Sequence, residues 1–263
     1  MGTHRSSPSH LLDGTPLNEH LASAPSLIGD DILNIFEAGD GDIPFLFKIL
    51  AIEKALSIQT HPDKAMAERL HAEKPKIYKG RPIVFYMNGQ RCLTFHDSTD
   101  ANHKPEMAIA LTPFTALCGF KPLPQIATFI TSTPEFATLL QATIIADVLA
   151  TSATKTPNGS TEKESLRELF SELMTSEAER FQPELAKLVK RYRDGGEKEV
   201  EKPVKDLVLQ LESQFPGDIG VFCAFVLNYV ELEPGEAIFL GAGEPHAYVS
   251  GGEYCCNTFI IVE

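Results

Sequence analysis

The chain has 263 residues, of which 43% are apolar and 22% charged. That is enough chain to bury a substantial core in one large domain or two small ones. The net charge of -13 argues against nucleic acid or an anionic membrane as partner, because phosphate surfaces call for clustered Lys and Arg. No apolar run approaches the roughly 20 residues that span a bilayer. The opening residues Met1 to His10 lack a signal-peptide core, so the reading is a cytoplasmic protein. The five cysteines, Cys92, Cys118, Cys223, Cys255 and Cys256, are odd in number and form no CxxC pair. A disulfide framework and a thiolate metal site are both disfavoured, and any bound metal is expected on N and O donors.

The first zone, residues 1–117, mixes short β-like runs with loops. Phe45 to Leu50 is compact and apolar, and Ala55 to His61 follows with period-two alternation. Asp63 to Pro75 is a helix candidate, capped by Asp63 and stopped by Pro75. Glu106 to Leu111 reads as a strand. Residues 118–216 are expected to be helical. Apolar residues recur at helical spacing over Pro134 to Leu149, Leu166 to Met174, Glu177 to Tyr192 and Val204 to Phe215, and their charges read as solvated faces. The third zone, 217–263, returns to β character. Val221 to Val230 is apolar, β-branched and aromatic, Pro234-Gly235 is a turn, and Ala237 to Leu240 is a strand. Strands at both ends of a chain usually share one sheet system, so the β-α-β order predicts a β-sandwich or jelly roll with an inserted helical domain.

Three segments hold residues suited to chemistry. In Ser57-Ile58-Gln59-Thr60-His61, a strand would turn Ser57, Gln59 and His61 to one face, at about 6.5 to 7 Å between alternate positions. Gln59 and His61 could then converge on one ion. Taken alone, the segment reads more readily as a satisfied polar face of an edge strand. In Asn102-His103-Lys104-Pro105-Glu106, Pro105 sets an extended approach and Lys104 shares a face with Glu106. That pair suits a metal-bound carboxylate beside a proton-moving amine, although taken alone the segment reads more readily as a surface salt bridge. In Gly243-Glu244-Pro245-His246-Ala247-Tyr248, alternation puts His246 and Tyr248 on one side, although a lone His after Pro is more often structural. Together the segments supply Gln, His, Glu and His from separated strands, a donor set that suits Zn²⁺ without cysteine.

The stretches LFKIL and LSIQTHPDK, then NHKPEMAIALTPFTALCGFKPL, then PGEAIFLGAGEPHAYVSG, resemble the type I mannose-6-phosphate isomerases. The resemblance implies a cupin-type jelly roll, here incomplete, that is mainly β with an inserted helical domain. It implies one Zn²⁺ per chain, held by Gln59, His61, Glu106 and His246. Lys48 and Ser57 match positions near the substrate phosphate, and Lys104 and Tyr248 match pocket residues, with Lys104 the candidate for proton transfer. The implied reaction interconverts mannose 6-phosphate and fructose 6-phosphate, feeding GDP-mannose synthesis, in a cytoplasmic monomer.

Three departures from the family pattern are expected to matter. Its opening strands would precede Met1. Residues 80–99 form an atypical insert that reads as translated intron. No residue here matches the catalytic Arg of the family's RAGLTPK segment, and the run Phe259 to Val262 is expected to be unsupported. The alternative is therefore an inactive fragment with at most a residual metal or sugar-phosphate site.

Overall fold

The computed structural model of the protein describes residues 2–3, 8–43, 46–60, 106–154, 159–251 and 258–262. The helix candidate from Asp63 to Pro75 and the insert at 80–99 lie outside them. Two short helices open the chain where β-like runs and loops were expected: α1 (Leu17–Ser23) and α2 (Asp30–Phe36). Pro16 precedes the first with its φ already fixed, and Asp30 and Asp31 sit in the first turn of the second, where the helix dipole favours acids. A tight turn locks this region down. Gly41 has φ 84°, and a Cβ there would lie 2.0 Å from the Asn18 carbonyl oxygen. Buried Thr3 ties the same turn, donating to Asp42 Oδ1 at 2.6 Å and accepting from the Ile43 amide at 2.9 Å.

The strands are β1 (Leu46–Leu50), β2 (Glu106–Ala110), β3 (Phe114–Phe120), β4 (Leu227–Leu232), β5 (Ala237–Leu240), β6 (His246–Gly251) and β7 (Thr258–Val262). They form two antiparallel sheets, ordered β1-β7-β2-β5 and β4-β3-β6. The run expected to be unsupported is instead β7, inside the first sheet. Ile260 stands opposite both Lys48 and Ala108, so this strand's backbone is paired on both edges rather than left open.

The 55–60 segment forms no continuous strand. Leu56 N–H donates to Tyr248 O, and Gln59 makes an isolated antiparallel bridge to His246. The expected alternation fails there, since Leu56 is 40% exposed while Ile58 is 5% exposed.

Between the sheets lies a small core of Ile52, Ala108, Ala110, Leu240, Phe114, Ala116, Cys118 and Tyr248. The opposite face of the second sheet, through Leu117, Leu227, Ala247 and Val249, joins the larger core made with the helices. The layers are thus sheet, sheet, helices. The helical layer is α3 (Leu123–Ser132), α4 (Pro134–Ala137), α5 (Ala142–Ser152), α6 (Gly159–Met174), α7 (Ala178–Arg193) and α8 (Lys202–Gln214). Among the described residues helix outnumbers strand, which corrects the expectation of a mainly β chain.

Two local expectations also change. The helical pattern over Pro134 to Leu149 is split, because Gln141 adopts φ -71°, ψ 146° and starts a new helix. The run from Val221 begins as a buried 3₁₀ segment, Ile219–Phe225, before β4. A stretch apolar on all sides carries no periodicity, so its surroundings choose its form. Here Phe136 stacks on Phe222 and Phe225, with ring centroids 6.4 and 5.4 Å away.

One ionic clamp stitches these helices. Arg191 donates to both carboxylate oxygens of Glu135 and to both of Glu201 at 2.6 to 2.9 Å, and Thr133 Oγ1 donates to Glu201 as well.

Candidate functional site

At one end of the space between the sheets, polar side chains replace the apolar core. Glu106 begins β2, and period two places it on the inner face with Ala108 and Ala110. His246 begins β6 and Tyr248 follows on the same face. Gly243 (φ 82°) makes the turn into Pro245 and sets where β6 starts. Neighbours on both sides then hold His246. On one side Gln59 exchanges two backbone hydrogen bonds with it, both 2.8 Å. On the other it lies opposite Cys118 of β3.

His246 is 4% exposed, and its Nδ1 lies 3.0 Å from the Glu244 carbonyl. A carbonyl only accepts, so Nδ1 carries the hydrogen, and in the neutral ring Nε2 then presents its lone pair. That Nε2 lies 3.5 Å from Glu106 Oε2. Tyr248 donates its hydroxyl to the same oxygen at 3.0 Å. Burial, then the Glu106 charge, pushes the Tyr248 phenol far above its ordinary value, so it remains a donor.

Two acceptor atoms facing each other at that distance suit a shared cation. Two donors about 2.1 Å from a tetrahedral zinc ion stand about 3.4 Å apart. The donor chemistry of Glu106 and His246 therefore fits Zn²⁺. Cys118 lies beside them, but burial, with a smaller effect of Glu244, pushes its thiol up to about 12, and it stays protonated near neutral pH. Among the described residues no three side chains of His, Cys, Asp or Glu converge. The fourth expected donor, His61, and the expected proton carrier, Lys104, lie outside the described residues.

Lys48 projects from β1 onto the Glu106 side of its sheet. Burial lowers its amine pKa, and the Glu106 carboxylate opposes that shift, so the amine lies within electrostatic reach of Glu106. Ser57 is partly buried on the segment beside β6, and no hydrogen bond among the described residues joins it to Glu106 or His246. The geometry thus brings Glu106, His246 and Tyr248 into contact, sets Lys48 near them, and ties Gln59 in through its backbone. Spacing gave no sign of Asn228, whose side chain bonds to the carbonyls of Cys118 and Phe120. The glycine in Cys118-Gly119-Phe120 was the available hint, since an isolated glycine in a strand often marks a bulge.

Comparison with known proteins defines the class. The phosphomannose isomerase type I catalytic domain matches residues 1–82 and 94–123, leaving 83–93 unmatched, and the helical insertion domain of the same family matches residues 139–227. The chain belongs to the type I phosphomannose isomerase family. It is 43% identical over 267 residues to mannose-6-phosphate isomerase of Cryptococcus neoformans, with 95% of this chain and 57% of that protein covered. It is 40% identical to the Homo sapiens mannose-6-phosphate isomerase, with 95% and 55% covered. A crystal structure of mannose 6-phosphate isomerase bound with zinc and yttrium superposes with a TM-score of 0.71 at 29% identity, covering 99% of this chain and 58% of that one. The apo form from Salmonella typhimurium gives 0.71 at 29%, covering 100% and 58%. The chain spans a little over half the length of the relatives it matches.

Proposed function

We propose that this chain carries the zinc and sugar-phosphate site of a mannose-6-phosphate isomerase, and that it interconverts mannose 6-phosphate and fructose 6-phosphate. The observation that supports this best is the meeting of Glu106, His246 and Tyr248 between two sheets, in a chain about 40% identical to named mannose-6-phosphate isomerases. The two sheets are read as part of a cupin-type jelly roll, with the helical residues as its insertion.

Gln59, His61, Glu106 and His246 would hold one Zn²⁺. When bound, it polarises the sugar oxygens on which negative charge develops. The chain's own groups then divide the work. Tyr248 donates to Glu106 and fixes that carboxylate's orientation, as outer partners of metal ligands do. The Glu244 carbonyl fixes the His246 tautomer in the same way. Lys48 supplies positive charge for the phosphate, assisted by the Ser57 hydroxyl. Lys104, two residues before Glu106 in the sequence, would carry the proton between C1 and C2. An amine does this near neutral pH only if burial or neighbouring positive charge lowers its pKa. The expected setting is cytoplasmic, upstream of GDP-mannose synthesis. Among the described residues no helix is long and apolar enough to cross a membrane.

A coupled assay for fructose 6-phosphate formation, with metal analysis of the same sample, tests the reading. Turnover with one zinc per chain is expected. Zinc without turnover would reduce the chain to a binding site. A folded sample without zinc affinity would remove the metal assignment.

A further inference from the structure

Beside the candidate metal site, β3 carries a bulge. Its register against β4 shifts between Cys118 and Phe120, and Gly119 is the inserted residue. Gly119 has φ 61°, a left-handed conformation that favours glycine. Its N–H, turned away from β4, donates to the Pro245 carbonyl at 2.8 Å. Pro245 immediately precedes His246. The bulge therefore sets the height at which β6 begins, and with it the position of the His246 ring opposite Cys118.

What holds the bulge is one side chain. Asn228, opposite Cys118 on β4, donates its Nδ2 hydrogens to the carbonyls of Cys118 at 3.1 Å and Phe120 at 2.9 Å. These carbonyls flank Gly119, and the amide nitrogen itself lies 4.0 Å from where a Gly119 Cβ would stand. A carboxamide has two N–H donors on one nitrogen, which is what two neighbouring carbonyls require. Bulges of this kind commonly re-aim a side chain next to a functional site.

We infer that Asn228 is a positioning residue for the metal site: it latches the Gly119 bulge, which through Pro245 aims His246 at Glu106. The inference rests on the reading of His246 as a metal ligand. It makes Asn228 part of the reaction's machinery although it touches neither ligand nor substrate. Outer residues that orient a ligand typically change metal affinity about 10- to 100-fold when removed.

The test uses the full chain, with zinc as the probe. The zinc dissociation constant is measured by competition with a chromophoric chelator, and the cobalt-substituted protein is examined by visible absorption. Asn228→Ala is expected to weaken zinc about 10- to 100-fold and to alter the cobalt bands, while Asn228→Ser, keeping one shortened donor, falls between it and the parent. Arg191→Met, a substitution in the helical clamp, controls for general destabilisation and is expected to leave zinc affinity and the cobalt spectrum unchanged. If the Asn228→Ala chain does not fold, the serine variant carries the comparison. Unchanged affinity and spectrum in the folded Asn228 variants, with the parent binding zinc, would overturn this inference alone. Equal losses in Arg191→Met would overturn it too, by showing that any destabilisation suffices. A parent chain that binds no zinc would overturn the metal reading and this inference with it.

Discussion

The helical layer and the sandwich solve different problems with the same chain. The helices share one large core, in which Phe136, Phe222, Leu169, Leu173, Leu188 and Val208 are fully buried, and the buried Glu201 carboxylate is bonded by Arg191, Thr133 and the Lys198 amide. Among the described residues the sandwich buries eight in its core, and at one end polar Lys48, Glu106 and His246 stand beside Tyr248. Its first sheet also leaves Ile49 and Phe239 exposed on its outer face. Buried apolar contact is concentrated in one region and the proposed chemistry in the other. Substitutions should therefore separate into two groups, one that lowers stability with the site intact and one that empties the site with stability intact.

The strongest break should come from the site. His246→Ala is expected to reduce turnover by about 10³-fold or more and to abolish tight zinc binding, because it removes a proposed ligand and its tautomer-fixing contact together. Metal content and the coupled assay on one preparation would show this, and a small change in melting temperature would keep the two regions distinct.

The reverse case is Arg191→Met. It leaves Glu201, which is fully buried, without its cation, at a cost of about 3–5 kcal/mol, or roughly 10 °C in melting temperature. Zinc affinity should hold. The clamp also predicts a pH dependence. Burial pushes Glu201 up, but the bonds from Arg191, Lys198 and Thr133 outweigh it, so its pKa lies below the ordinary carboxylate value. A carboxylate held below its unfolded value stabilises the fold above that value, and this contribution fades as pH falls through the folded one. Acid titration of stability should therefore be steeper in the parent than in Arg191→Met.

A third substitution tests the anchoring of the first helices. Gly41→Ala places a Cβ against the Asn18 carbonyl and the Ala22 amide in a left-handed conformation, with about 2–3 kcal/mol of destabilisation expected in denaturant melts. Tyr248→Phe is a finer probe of the site. Losing the bond to Glu106 should weaken zinc about tenfold and lower turnover, with the fold retained.

The smallest effect is expected where the regions join. Lys121 is 7% exposed, and burial lowers its amine to about 8. A lysine with a depressed folded pKa destabilises the fold while charged, and stability rises with pH between about 8 and its ordinary value of 10.5. Lys121→Met should therefore gain about 1 kcal/mol at pH 7 and flatten that rise.

The sequence was most informative where periodicity met punctuation. β1, β2, β5 and the helices over Ala178–Arg193 and Lys202–Gln214 stand close to where alternation, amphipathic spacing, Pro203 and Gly195-Gly196 put them. It misled where burial was uniform: the run from Val221 looked like strand throughout, yet it opens inside a 3₁₀ segment, Ile219–Phe225, against Phe136. The short helices after Pro16 and Gly29 were missed because seven-residue helices carry too little period to stand out. β7 looked unsupported because pairing partners about 150 residues and more away leave no local mark.

For the site, the residue types and the alternation of His246 with Tyr248 were legible. The Tyr248–Glu106 bond, across 142 residues of sequence, and the Asn228 latch were not, since both depend on how two strands stack or register. The family motifs supplied the candidate ligand set, and the coordinates show how Glu106 and His246 come to face each other.

X-ray absorption at the zinc edge of the zinc-loaded chain addresses the central claim directly. A first shell of nitrogen and oxygen at about 2.0–2.1 Å, with the outer scattering of two imidazoles that is lost in part in His246→Ala, is the predicted result. Sulfur at about 2.3 Å, or a spectrum unaltered by His246→Ala, would contradict it.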